Sequence, residues 1–250
     1  MLIDVHCHLD FKEFDKDRDE VIKRAEQNNF KIIIANGTNL KKNKKILELS
    51  KKYEIIKPAF GLYPVEAESI KEKELNENLE FIEKNNPIAI GEVGLDLYNG
   101  KDLEKQKKVF KKLIELSIKL NIPIIVHSRK AEQETIDFLK ENKAKKVILH
   151  CFSGNAEQTK QAEELNYLFS IPASIVRNKT FRKLAKRIKL NSILTETDAP
   201  YLSPYEGKRN EPSYIKETIR KISEIKKITE EELEKIIFMN YQNYLQNEFR

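Results

Sequence analysis

Short apolar runs alternate with longer amphipathic stretches from one end of the chain to the other. The apolar runs are brief and rich in β-branched residues, as in parallel strands that are buried on both faces. Eight runs are predicted strands: Leu2–Val5, Lys31–Ala35, Ile55–Phe60, Ile88–Ile90, Ile124–Val126, Lys146–Leu149, Leu168–Ile171 and Ser192–Thr195. Five stretches between them have apolar positions at helical spacing: Asp17–Asn28, Leu103–Leu120, Ala131–Lys140, Ala156–Leu165 and Phe181–Ile188.

This alternation predicts an α/β fold, a single (β/α)8 TIM barrel that comprises residues 1–250 as one domain. An open, doubly wound sheet is the alternative, but no glycine-rich dinucleotide loop follows the first strand. After the last strand, Glu211–Lys226 and Thr229–Leu245 are predicted helices, so the barrel ends with an extra C-terminal helix. Thr229 and Glu232 have the spacing of a capping box at the start of that helix.

Composition limits the class of protein. The chain has 250 residues, of which 40% are hydrophobic, enough for a core without disulfides or structural metals. No apolar run is long enough to span a bilayer, and the first residues do not have the pattern of a signal peptide. The two cysteines, Cys7 and Cys151, form no CxxC pair. We therefore expect a cytoplasmic protein with no membrane role and no obligate protein partner, and strand alternation predicts that Cys7 packs in the barrel wall.

The net charge leaves two interpretations open. Lys and Arg number 46 against 40 for Asp and Glu, which gives +6. The charge is typical of a lysine-rich solvated surface, and it is equally compatible with attraction to a polyanion such as DNA or RNA. Both signs alternate along residues 101–112 and 217–235, a pattern typical of exposed helix faces.

All four histidines lie at the carboxyl ends of predicted strands: His6, His8, His127 and His150. In a barrel these ends form the face on which catalytic groups converge. A lone histidine there is more often a hydrogen-bonded structural residue, but alternate residues of a strand point to the same side. The His6-x-His8 pair can therefore reach one metal together, with Asp4 on the same face one step deeper.

Two carboxylates complete a candidate metal site. Glu92 follows the fourth predicted strand, and Asp198 follows the eighth. Taken alone, Glu92 is also compatible with a solvated loop residue, and Asp198 with a turn or helix cap before Pro200. Beside four imidazoles these structural interpretations weaken. A carboxylate between glycines, as at Glu92, has room to bridge two ions.

Six segments of the chain together resemble the TatD-type deoxyribonucleases. They are His6-Cys7-His8-Leu9-Asp10, Gly91-Glu92-Val93-Gly94-Leu95-Asp96, Val126-His127-Ser128-Arg129, His150-Cys151-Phe152-Ser153-Gly154, Glu196-Thr197-Asp198-Ala199-Pro200-Tyr201-Leu202 and Arg209-Asn210-Glu211-Pro212. The resemblance covers essentially the whole chain and implies an amidohydrolase-like (β/α)8 metal hydrolase. It implies that His6, His8 and Asp198 hold one metal, that His127 and His150 hold a second, and that Glu92 bridges them.

At one position the chain departs from this pattern. Many family members have a Gly-x-His-Pro motif after the third strand, whereas this chain has Gly61-Leu62-Tyr63-Pro64. Tyr63 supplies no imidazole, but its hydroxyl is able to hydrogen-bond a phosphate oxygen. The departure puts any proton-transfer or substrate role at that position in doubt and leaves the metal ligands intact.

These residues predict metal-assisted hydrolysis of a phosphodiester. One or two divalent ions would activate water, with Asp198 as proton acceptor and Glu92 as bridge. Magnesium, manganese and zinc are not distinguished by the ligand types. Arg129 and Arg209 are candidate phosphate contacts, with a surface ion pair as the alternative, and Ser153-Gly154 offers N–H donors before a helix.

Three functional hypotheses follow from this site. The leading one is a TatD-type nuclease that acts on the ends of DNA in the manner of a 3'-5' exonuclease. The second is hydrolysis of another ester or amide on the same ligands, such as deacylation of D-aminoacyl-tRNA. The third is a barrel that binds nucleic acid without catalysis, and it predicts a damaged metal site, whereas all six ligand candidates are present.

Overall fold

Eight parallel strands form the centre of the computed structural model, which describes residues 1–245. The strands pair in sequence order: β1 (Leu2–Cys7), β2 (Phe30–Asn36), β3 (Ile56–Phe60), β4 (Ala89–Asp96), β5 (Ile124–Arg129), β6 (Val147–His150), β7 (Leu168–Pro172) and β8 (Ile193–Glu196). Their apolar side chains are buried because helices cover the outer face and the barrel interior is filled by side chains. The predicted (β/α)8 barrel is thereby confirmed.

Hydrogen bonds join β1 and β8, the first and last strands of the sheet. The hydroxyl of Thr195 donates to the carbonyl oxygen of Ile3 at 2.7 Å, and Asp198 N donates to His6 O at 2.9 Å. Deeper in the barrel, the carboxylate of Asp4 accepts from both the backbone N–H and the hydroxyl of Thr197. The sheet is therefore a nearly closed barrel, and residues that are almost 200 positions apart become neighbours.

Ten helices lie around the sheet in the described part of the chain. They are α1 (Arg18–Gln27), α2 (Leu40–Lys52), α3 (Pro64–Ala67), α4 (Glu72–Asn85), α5 (Leu103–Leu120), α6 (Glu132–Glu141), α7 (Ala156–Glu164), α8 (Lys179–Arg187), α9 (Ile215–Lys226) and α10 (Glu230–Leu245). The hydrophobic pattern did not single out α2 and α4. Both helices are rich in charged and amide residues, and each buries only a few apolar side chains, such as Ile46 and Ile82, so their apolar faces are narrow.

Helix α10 is the predicted C-terminal helix, and it covers the amino-terminal ends of several strands. The side-chain amide of Asn240 donates to the carbonyl oxygens of Leu190 and Ile193. Glu232 N donates to the hydroxyl of Thr229, which is one half of the predicted capping box. Within residues 1–245, no helix combines the length and apolar character needed to cross a membrane. The assignment of residues 1–250 to one domain stays a prediction, since residues 246–250 lie outside the described residues.

Candidate metal centre

Two histidines at the end of β1 point toward the same spot. His6 lies in the strand, His8 follows its last residue, and both are buried. Their Nε2 atoms are 3.3 Å apart. Nδ1 of His8 lies 3.0 Å from the carbonyl oxygen of Asn36, and this acceptor assigns the ring proton to Nδ1. With a proton on Nδ1, Nε2 is the nitrogen that His8 would offer to a metal in the cavity.

Cys7, between these two histidines, faces the other way. Its thiol is buried and lies 3.7 Å from the carbonyl oxygen of Ile34. This is the barrel-wall position that strand alternation predicts for it.

The carboxylate of Glu92 lies between two pairs of histidines. Its Oε2 is 3.6 Å from Nε2 of His6 and 3.4 Å from Nε2 of His8. Its Oε1 is 2.8 Å from Nδ1 of His127 and 3.2 Å from Nε2 of His150. The apolar run Ile88–Ile90 predicted that Glu92 follows the strand, but β4 continues to Asp96, so Glu92 lies within it. One carboxylate oxygen thus faces each pair.

The backbone around Glu92 leaves no room for a side chain on the neighbouring strand end. A Cβ atom at Gly61 would lie 2.4 Å from the carbonyl oxygen of Glu92, far inside any van der Waals contact. Glycine at position 61 therefore permits the close approach that places Glu92 at the centre of the barrel mouth.

Asp198 completes the arrangement from the turn after β8. Its Oδ1 lies 3.6 Å from Nε2 of His6 and 3.4 Å from Nε2 of His8. The residue has a φ of 56°, in the left-handed region that aspartate tolerates better than most residues. This turn directs the carboxylate back over the end of β1.

The six predicted ligand residues therefore form two groups that meet at Glu92. His6, His8 and Asp198 form the first, and Glu92, His127 and His150 form the second; in each, the candidate ligand atoms lie within 4.8 Å of one another. His6, His150 and Glu196 meet the same criterion. Glu196, however, lies 3.3 Å from Nδ1 of His150, on the ring edge opposite Glu92, which suits a supporting carboxylate.

Electrostatics favour ionised carboxylates at this centre. Burial alone would raise the pKa of Glu92, but hydrogen bonds from His127, His150 and His6 outweigh it and lower the pKa well below its ordinary value. Burial likewise opposes ionisation of Asp198, and the hydrogen bond with His8 nevertheless lowers its pKa. Both groups are therefore negatively charged, as ligands of a divalent cation should be.

A second carboxylate supports His127 from behind. Nε2 of His127 lies 3.1 Å from Oδ2 of Asp96, while Nδ1 faces Glu92. Burial raises the pKa of Asp96, but hydrogen bonds from His127 and Tyr63 overcome this effect and lower it. An ionised Asp96 accepts a proton on Nε2, so Nδ1 is the nitrogen that His127 would offer to a cation, which would displace any proton there.

A cavity of about 810 Å³ opens above the centre. Its walls include His8, Glu92, His127, His150 and Asp198 together with aromatic and cationic side chains from the strand-end loops. This volume greatly exceeds that of one phosphate group, so the cavity has room for a substrate that extends beyond the scissile bond.

The structure separates the four predicted substrate contacts into two kinds. Arg129, Ser153 and Tyr63 line the cavity. The guanidinium of Arg129 lies over the ring of Tyr98 at 4.0 Å, and the hydroxyl of Ser153 donates to Glu132. The hydroxyl of Tyr63 donates to Asp96 at 2.6 Å.

Arg209, the fourth predicted contact, forms an ion pair with Asp17. Its guanidinium donates to both carboxylate oxygens of Asp17, at 2.8 and 2.6 Å, and to the backbone oxygen of Glu13. It also lies over the ring of Phe14 at 4.5 Å. The ion pair that the sequence left as the alternative to a phosphate contact is therefore the arrangement of Arg209 in this structure.

Three further residues of the site were not identified from the sequence. Alternate residues of a strand point to the same side, so Asp96 lies on the same side of β4 as Glu92. The same two-residue spacing relates Glu196, the last residue of β8, to Asp198. This spacing was the sequence signal that could have identified both carboxylates. Lys42 lines the cavity from α2 with its Nζ 4.1 Å from the ring centroid of Phe11. A lysine in a lysine-rich helix has no local signal that marks it.

Known proteins resemble this chain over nearly its full length. The family model described as "TatD related DNase" matches residues 3–246. The chain is 37% identical to human deoxyribonuclease TATDN3 over 253 residues, which cover 96% of this chain and 92% of that protein. It is 36% identical to the uncharacterized metal-dependent hydrolase YabD of Bacillus subtilis, with coverage of 96% and 97%.

A solved structure gives the same answer for the fold. The crystal structure of YJJV, a TatD homolog from Escherichia coli, superposes with a TM-score of 0.90 at 27% identity, covering 98% of this chain and 97% of that one. The family match in sequence and the structural superposition both extend from the first strand to the last helix. The chain belongs to the TatD-related DNase family of metal-dependent hydrolases.

Proposed function

We propose that this protein is a metal-dependent deoxyribonuclease that cleaves phosphodiester bonds of DNA, acting on strand ends as a 3'-5' exonuclease. The observation that carries the proposal is the Glu92 carboxylate, whose two oxygens face two separate groups of imidazole nitrogens. The name of the human relative, a deoxyribonuclease, supports DNA as the substrate.

The donor set fits one or two divalent cations. Nitrogen and carboxylate oxygen atoms converge in two groups, and within residues 1–245 neither Glu92 nor Asp198 forms an ion pair with a lysine or arginine. Two buried, ionised carboxylates without a fixed counter-cation are costly unless a cation joins them. Imidazole with carboxylate suits zinc, manganese or iron, and magnesium accepts the carboxylates.

We assign His6, His8 and Asp198 to one ion, His127 and His150 to a second, and Glu92 to both. When bound, such ions lower the pKa of water and offset negative charge on phosphoryl oxygens. Asp198 is the proton acceptor in this proposal, since it lines the cavity and its side chain retains 14% exposure, whereas that of Glu92 retains 4%.

Two cations of the cavity wall are available to hold phosphates. Lys42 donates to the hydroxyl of Thr38 at 2.9 Å and has no acidic partner within 4.0 Å in the described part of the chain. Arg129 likewise has no acidic partner within 4.0 Å among residues 1–245, and its guanidinium lies over the ring of Tyr98. We propose that both bind phosphates of the substrate that flank the scissile one.

Release of nucleotides from single-stranded DNA with added magnesium or manganese tests the proposal. We expect EDTA to abolish activity and a Glu92→Ala, Asp198→Asn double variant to lack it. The matched control is Glu104→Ala with Asp19→Asn, two carboxylates whose side chains are 84% and 67% exposed, and it should remain active.

Activity that survives EDTA, or that persists in the Glu92 and Asp198 double variant, would refute the metal mechanism. A metal-loaded enzyme that leaves DNA intact and hydrolyses D-aminoacyl-tRNA would instead favour the deacylase alternative. Both substrates should therefore be assayed in parallel.

We also propose a cytoplasmic location. The support is that Cys7 and Cys151 are both free thiols, as is usual in a reducing compartment. Cell fractionation followed by detection of the protein checks this, and recovery outside the cytoplasmic fraction would contradict it.

A further inference from the structure

The hydroxyl of Tyr63 lies behind the metal-facing edge of His127. Tyr63 lies between β3 and α3, as the N-cap residue of α3, at the position where the chain departs from the Gly-x-His-Pro pattern. Its oxygen is 2.6 Å from Oδ2 of Asp96 and 3.4 Å from Nε2 of His127. The three side chains therefore share one hydrogen-bonded corner of the cavity.

The hydroxyl of Tyr63 has a single proton, which limits the hydrogen bonds that it can donate. A phenol has one proton, and the hydroxyl of Tyr63 donates it to Asp96. A phosphate oxygen without a proton is only an acceptor, so it has no donor to meet at this hydroxyl while the bond to Asp96 persists. The geometry thus disfavours the direct phosphate contact that the sequence suggested for Tyr63.

The same bond gives Tyr63 a different role through Asp96. Oδ1 of Asp96 accepts from the backbone N–H groups of Tyr98 and Asn99, each at 2.8 Å. Oδ2 accepts from Tyr63 and from the amide of Asn99 at 3.0 Å, and it faces Nε2 of His127. Tyr63 therefore helps to hold Oδ2 of Asp96 in place, and this oxygen in turn orients the ring of His127.

The orientation of His127 matters because its other nitrogen faces the candidate centre. Nδ1 lies 2.8 Å from Oε1 of Glu92 and 3.3 Å from Nε2 of His150. A rotated ring would no longer direct Nδ1 toward the centre, where a cation would take the place of its proton. Carboxylate–histidine–metal arrangements prevent this and raise the affinity for the ion.

We propose that Tyr63 is a positioning residue: through Asp96 it fixes the His127 ring with Nε2–H toward Asp96 and Nδ1 toward the centre, and it thereby strengthens divalent-cation binding by the Glu92, His127 and His150 group. The proposal rests on the proposed function, because it assumes that this group binds a metal. It assigns to the tyrosine of this chain a task that acts on the ligand and not on the substrate.

Titration of the purified protein with Mn²⁺, followed by calorimetry, tests the proposal with Tyr63→Phe. We expect two equivalents in the wild type and a roughly tenfold to hundredfold weaker affinity for one of them in the variant, the range typical of lost outer-shell support. In DNA hydrolysis at a fixed Mn²⁺ concentration that saturates the wild type, kcat should fall while KM stays unchanged. Tyr205→Phe, which removes the exposed hydroxyl that donates to Glu217, is the matched control and should change neither quantity.

A second measurement keeps the test independent of activity and of folding losses. Long-range ¹H–¹⁵N NMR spectra of the metal-free protein report which ring nitrogens of His127 carry protons and how fast those protons exchange with water. We expect a slowly exchanging proton on Nε2 in the wild type and faster exchange of that proton in Tyr63→Phe, with circular dichroism unchanged.

Two outcomes would overturn the positioning role alone: both Mn²⁺ equivalents bound by Tyr63→Phe with wild-type affinity, or a raised KM with unchanged exchange of the Nε2 proton of His127, which indicates a substrate contact. A wild-type protein that binds no Mn²⁺ and leaves DNA intact would overturn the proposed function as well. The two failures are therefore distinguishable.

Discussion

The two unpaired cations of the cavity wall lead to a quantitative prediction about DNA binding. Lys42 and Arg129 each lie against an aromatic ring, Phe11 and Tyr98 respectively, at about 4 Å from the ring centroid. Neither has an acidic partner within residues 1–245, so each is free to neutralise a phosphate. We therefore expect Lys42→Gln and Arg129→Gln to weaken DNA binding through loss of charge.

The magnitude follows from counterion release. For single-stranded DNA, the logarithm of the binding constant falls with the logarithm of salt concentration by about 0.7 per phosphate contact. Each substitution should therefore lower the steepness of this dependence by about 0.7, and the double variant by about 1.4. A fourfold increase in salt then separates the wild type from each single variant by roughly a factor of 2.6 in relative affinity loss.

Fluorescence anisotropy of a labelled oligonucleotide measures this slope. All proteins should carry Glu92→Ala so that the DNA is not consumed, and Mn²⁺ should be kept constant. Arg220→Gln is the matched control, since Arg220 forms an exposed ion pair with Glu217 on α9. A double variant whose salt dependence equals that of its parent would refute phosphate binding by Lys42 and Arg129.

Two further predictions concern stability. Arg209→Gln should leave the salt dependence of DNA binding unchanged, because the guanidinium of Arg209 is paired with Asp17. It should lower the free energy of unfolding by up to about 1 kcal/mol, the range for a partly exposed ion pair. A reduced salt dependence would instead indicate that Arg209 contacts a phosphate of the substrate. Tyr244→Phe removes the hydroxyl that accepts from Val147 N at 2.7 Å and should lower the free energy of unfolding by about 2 kcal/mol and Tm by roughly 4–8 °C. Thermal unfolding checks both, and an unchanged Tm for Tyr244→Phe would contradict the second.

Much of the fold was predictable because its signal is local. Strands buried on both faces require short apolar runs, and the eight runs correspond to β1–β8. The ends of strands were less predictable. Strand β4 continues through Gly91, Glu92 and Gly94, where glycine and a charged residue interrupt the apolar run, because neighbouring strands and the barrel interior supply the partners. Helices α2 and α4 were not singled out because their apolar faces are narrow.

The sequence by itself determined which side chains would meet at the barrel mouth. Alternation along β1 places His6 and His8 on one side, and the parallel order of strands brings His127 and His150 to the same end. These conclusions need only the period of a strand and the rule that strand ends of a barrel converge.

Only the tertiary structure decided what each of these groups does with its remaining atoms. Tyr63 and Asp96 are 33 positions apart, and Arg209 and Asp17 are 192 apart, yet each pair is hydrogen-bonded. A hydrogen bond depends on tenths of an ångström and on direction, and these are set by loop paths and barrel closure. The residue types therefore predicted the centre, whereas the folded chain determined that Arg209 is paired with Asp17, that Arg129 has no acidic partner within residues 1–245, and that the hydroxyl of Tyr63 donates to Asp96.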